Sequence, residues 1–99
     1  MRPRVDWMTQ ADERVLEFLH EKDIVASPSV IAANIDYTPQ YVNERIPLLS
    51  ENGLVENRGK ALYRITDRGR QYLAGELDKD DLEPGQHEEY LTDTIVQVD

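Results

Sequence analysis

Five of the eleven cationic side chains crowd into one short stretch, NRGKALYRITDRGR. They are Arg58, Lys60, Arg64, Arg68 and Arg70, and Asp67 is the one acid among them. Cations gathered in this way suit one chemistry above others, the holding of phosphate oxygens. A second set of polar side chains, Gln40, Asn43 and Glu44, lies upstream at helical spacing. A carboxamide can pair bidentately with adenine, and a carboxylate can accept from the amino group of cytosine. Other reactive types are scarce. No cysteine is present, so thiolate metal sites, disulfides and cysteine nucleophiles are excluded. His20 and His87 are the only imidazoles and stand far apart. The segment DKDDLEPGQHEE resembles a calcium loop only superficially: counted from Asp78, Glu83 occupies the glycine position and Leu82 the fifth, a ligand position. With no glycine-rich phosphate loop and no nucleophile motif, the expectation is a non-catalytic chain without metal or cofactor.

These cations stand in an acidic protein. Its formal net charge is −9, and arginine outnumbers lysine eight to three. Residues 78–99 carry eight acids against Lys79, whereas residues 1–77 carry twelve acids and ten cations. The acidity therefore belongs mostly to the C-terminal segment. Many acids, few lysines and an arginine bias fit a halophilic protein; an acidic interaction tail is the competing account. No run approaches the ~20 apolar residues of a membrane span, and the first ten residues lack the apolar core of a signal peptide. A cytoplasmic protein is expected.

The elements that position these groups follow from caps and spacing. Thr9 caps a first helix, with Asp12 and Glu13 in the first turn, where the helix dipole favours acids. Its inward side carries Met8, Ala11, Val15, Phe18 and Leu19. Ser27-Pro28 opens a short second helix, PSVIAANI, and Thr38-Pro39 opens a third that runs toward Gly53. Val42, Ile46 and Leu49 form the core stripe of that third helix, and Pro47 predicts a kink or an early end. LVEN and ALYRI, separated by RGK, read as a hairpin with Gly59 at its tip. Thr66 caps a fourth helix, DRGRQYLAGEL, with Tyr72, Leu73 and Leu77 facing inward. Beyond Leu77 the pattern is lost, and residues 78–94 read as loop or disordered. TIVQV at the end could form a strand, given a partner.

The fold class is thus mainly α with a small β-hairpin. Two short helices joined by a tight turn and followed by a hairpin predict a winged helix-turn-helix over residues 1–77, with an acidic tail over 78–99 that is partly disordered or contributes to dimerisation. Stepping 100° per residue from Val42 puts Gln40, Asn43, Glu44 and Pro47 on the face opposite the core stripe, where bases would be read. Thr38 opens the amides of the third helix toward a phosphate. Tyr41 and Arg45 lie at the flanks and could contact phosphates or pack locally. Arg58 and Lys60 flank the hairpin tip, Arg64 points away from Tyr63 and Ile65, and Arg68 and Arg70 fall where the dipole disfavours cations. A phosphate backbone passing the hairpin accounts for them; the competing reading is a solvated face, or cations paired with neighbouring acids. The partner expected is double-stranded DNA, bound by a homodimer; the alternative is a winged-helix module that binds another protein.

The segments SPSVIAANIDYTPQYVNERI, LLSENGLVE and YRITDRGRQYLAGELDKDDLE resemble the small haloarchaeal winged-helix proteins of the halophage phi-H repressor-like group, within the MarR-like class. The resemblance covers residues 1 to about 83. It implies a DNA-binding transcriptional regulator, most simply a repressor, with its third helix at residues 39–51 and its wing at residues 57–61.

Overall fold

Hydroxyl caps start all four α-helices, and each is in place in the computed structural model, which describes residues 2–82. The segment TIVQV and most of the acidic tail lie outside those residues. Helix α1 spans Gln10–Lys22; the Thr9 hydroxyl accepts from Asp12 N–H while the Asp12 carboxylate accepts from Thr9 N–H. Helix α2 spans Pro28–Ile35 behind Ser27, and α3 spans Pro39–Glu51 behind Thr38. Only Asp36, Tyr37 and Thr38 separate α2 from α3, and Asp36 closes α2 in the left-handed conformation at φ 67°.

Pro47 does not end α3. The helix continues to Glu51 and stops at a Schellman turn, in which Gly53 N–H donates to Ser50 O and Leu54 N–H to Leu49 O, both at 2.9 Å. Gly53 takes φ +75°, which disfavours any side chain. Strands β1, Val55–Asn57, and β2, Tyr63–Ile65, then pair antiparallel with Glu56 opposite Arg64. The connection is longer than the expected RGK: Ala61 and Leu62 belong to the loop, because Arg58 N–H closes it on Leu62 O at 2.7 Å. Ala26 adds an isolated bridge to Tyr63, so the segment before α2 also holds the hairpin.

Helix α4 spans Asp67–Leu73 behind Thr66. It is shorter than its pattern suggested, because Gly75 at φ +77° makes a second Schellman turn with Gly75 N–H on Tyr72 O and Glu76 N–H on Gln71 O. Leu77 packs beyond the helix end. The fold also continues past residue 77. A 3-10 turn at Lys79–Leu82 buries Leu82 in the core, and Trp7 Nε1–H donates to its carbonyl. The expected boundary at 77/78 therefore falls short of the packed unit.

The core joins all the helices to the hairpin: Val15, Leu16 and Leu19 of α1 meet Ile31 and Ile35 of α2, Val42, Ile46 and Leu49 of α3, and Val55 and Ile65 of the hairpin. Tyr72 of α4 is also buried, and burial, with the Glu13 carboxylate nearby, pushes its phenol up from 10.0 to about 12. The folded state thus favours the protonated phenol. Its contribution to stability is fully present below pH 10 and is lost as pH rises toward 12. Wild type should lose on the order of 2 kcal/mol more than Tyr72→Phe across that window, measured by urea unfolding at a series of pH values. Parallel losses in the two proteins would contradict this role.

Candidate nucleic-acid interface

Gln40, Asn43, Glu44 and Pro47 are all exposed, whereas Val42, Ile46 and Leu49 are buried. Helix α3 therefore presents a polar ridge on one side and anchors itself with the other. The α1–α2 pair and the β1 strand hold it from behind. At its N-terminus the Thr38 hydroxyl accepts from Tyr41 N–H at 3.1 Å, and the Thr38 carbonyl from Val42 N–H. Pro39 has no N–H, so Gln40 N–H is the one first-turn donor of α3 left without a partner among the described residues. Pro47 likewise leaves the Asn43 carbonyl without its helical donor, on the exposed face. Two carboxamides, a carboxylate and a proline ring thus share one exposed ridge.

The hairpin supplies the cations. Gly59 at φ +105°, Lys60 at 56° and Ala61 at 57° form its apex, and Gly59 N–H is held by the Asn57 side chain at 2.7 Å. Arg58 and Lys60 are exposed. Arg58 pairs with Glu56 at 3.1 Å, both half-exposed, and a pair of this kind contributes little and exchanges readily for another anion. Lys60 makes no ion pair among the described residues.

The other expected cations stand elsewhere. Arg64 is half-buried beside Asp23, Ile24, Val25 and Arg70, toward the foot of the hairpin. Arg68 is an internal tie: its Nε donates to Asn52 O at 2.9 Å and its NH2 to Asp81 O, which joins the end of α3 to the 3-10 turn. Arg70 pairs with Asp23 at 3.3 Å and Asp67 at 3.4 Å. Internal carbonyls thus engage Arg68, whereas the Arg70 pairs, made to largely exposed acids, are as weak as that of Arg58. Tyr41 packs on Tyr37 with ring centroids 5.7 Å apart.

Arg45 is the largest departure from the expected site. It turns inward to Asp12, whose side chain is 0% exposed, at 2.7 and 2.9 Å, and also donates to Trp7 O at 2.9 Å. The hydrogen bonds to Asp12 raise the Arg45 pKa further. Asp12 in turn is no mere dipole partner of its helix, since it clamps α3 onto α1. The sequence carried a faint signal: Asp12 lies one turn before Leu16, and Arg45 beside the Val42–Ile46 stripe, so each charge borders a core face.

A family model of winged helix-turn-helix phage repressors matches residues 1–85. The chain belongs to that family. Among its relatives is the repressor protein of Halobacterium phage phiH, 36% identical over 87 residues that cover 84% of this chain and 98% of the phage protein. The crystal structure of the PhiH1 repressor-like protein from Haloarcula marismortui superposes with a TM-score of 0.73 at 32% identity, covering 84% of this chain and 92% of that one. Family membership supports a regulatory, DNA-binding role for this phage-repressor homologue. No helix among its described residues is long and apolar enough to cross a membrane.

Proposed function

We propose that this chain is a sequence-specific duplex-DNA-binding transcriptional repressor that acts by binding alone, in the cytoplasm. Helix α3 enters the major groove with Gln40, Asn43 and Glu44 toward base edges. Arg58 and Lys60 hold flanking phosphates, with Arg64 as a further cation behind them. The observation that carries the reading is the exposed ridge of Gln40, Asn43 and Glu44 on a helix whose other side is buried. The phage repressor among the relatives favours repression as the mode of action. Two copies bound to paired half-sites would double the phosphate contacts available to one small domain.

The outer face of α3 carries acids and no free cation, an observation that favours the rival reading, a module that docks on another protein. Fragment selection separates the two. Genomic fragments incubated with the purified chain, captured and sequenced, should yield discrete sites that contain inverted repeats. Single half-sites would remove the dimer. Recovery of fragments in proportion to input would remove sequence-specific DNA binding and leave the protein-docking module.

A further inference from the structure

Arginine on guanine O6 and N7 is the commonest specific contact in the major groove. Residues 28–51, which span α2, the turn and α3, contain a single cation, Arg45. It is not free to reach a base. Three hydrogen bonds hold it to Asp12 and Trp7 O, and its withdrawal would strand a carboxylate that is 0% exposed. The exposed donors that remain on the ridge are the carboxamides of Gln40 and Asn43, whose paired N–H and C=O match adenine N7 and N6. Beside them the exposed ring of Pro47 offers apolar surface of the kind a thymine methyl contacts. Glu44 can only accept, which suits a cytosine amino group.

From this arrangement we infer that the DNA under α3 is dominated by A·T pairs, read by carboxamides, with no guanine read by this helix and at most one cytosine, at Glu44. The inference rests on the DNA-binding reading above and adds the class of sequence. It also divides the labour within the domain. Glu44 and Glu51 repel phosphate along α3, so the hairpin must hold the helix in the groove. Arg58 and Lys60, exposed at the hairpin tip, do so through flanking phosphates, whatever the sequence there.

Selection from a randomised duplex library, followed by dimethyl sulfate footprinting of the retained sites, tests this. The expected sites are A·T-rich at the positions that Asn43→Ala and Gln40→Ala each relax, with the preference falling roughly ten- to hundredfold. Glu44→Gln should replace a C·G preference by A·T at one position. These three side chains are exposed, so the variants should keep the fold, which circular dichroism verifies. Sites with protected guanine N7 atoms within the α3 footprint, other than the partner of the one cytosine at Glu44, would overturn this inference alone. A library retained without any sequence preference would overturn the DNA reading and the inference with it.

Discussion

Arg45→Ala is expected to cost about 3–5 kcal/mol of stability, because it leaves the Asp12 carboxylate buried with no counter-charge. Asp12 would retain only the donation from Thr9 N–H at 2.9 Å. A domain of this size has roughly 5–15 kcal/mol in total, so this one change brings it near the point of unfolding. Replacing both partners by apolar residues, as in Asp12→Leu with Arg45→Met, should recover most of the loss, since neither charge is then stranded. Urea unfolding of the two single variants and the double variant measures this directly. A loss below about 1 kcal/mol for Arg45→Ala, the scale of a surface pair, would show that the pair does not hold α3 against α1.

Gly69→Ala is the second large effect, and it acts through backbone. A Cβ at Gly69 would press on the Leu54 carbonyl and come within 2.6 Å of Ile65 Cγ1. The carbonyl cannot easily retreat, because it accepts from Thr66 N–H at 3.1 Å at the junction of the hairpin with α4. Alanine gains about 1 kcal/mol in helix propensity, which overpacking of typically 1–3 kcal/mol or more should outweigh. The expected result is a lower unfolding midpoint, with the hairpin displaced and DNA affinity reduced together. A stabilised Gly69→Ala variant would mean that α4 and β2 can separate without cost.

The four helix starts were legible because each is announced by a hydroxyl residue, and two of them by proline directly after it. The order of elements, and with it the winged helix, followed from those starts and the hairpin. Element ends were harder to read. Gly75 sits inside an apparently helical run, and only the closure of a Schellman turn reveals it as a stop. Ala61 and Leu62 look like strand residues by type, yet the loop bond from Arg58 N–H excludes them from the ladder. Leu82 lies in an acidic segment, and Trp7 and the core capture it from a distance no local pattern encodes.

The candidate site divided along the same line. The exposed ridge of α3 was visible in helical angles, since angles depend only on spacing. The fate of the cations was not, because Arg45, Arg68 and Arg70 find their partners at Asp12, Asp81 and Asp23, distant in sequence. The dense cationic stretch that first suggested phosphate therefore serves two purposes. Arg68 ties α4 to its neighbours through backbone carbonyls, while Arg58, Lys60 and Arg70 have only exposed ion pairs or none among the described residues.

The central claim is that α3 reads sequence while the hairpin holds the backbone. It is tested most directly by measuring the affinity of Asn43→Ala and Lys60→Ala, beside wild type, for the best selected duplex and for a scrambled one at the same salt concentration. Asn43→Ala should lose about 1–3 kcal/mol on the selected duplex and little on the scrambled one, whereas Lys60→Ala should weaken both alike and flatten the salt dependence. Equal losses on the two duplexes for Asn43→Ala, or no loss on either, would contradict the account.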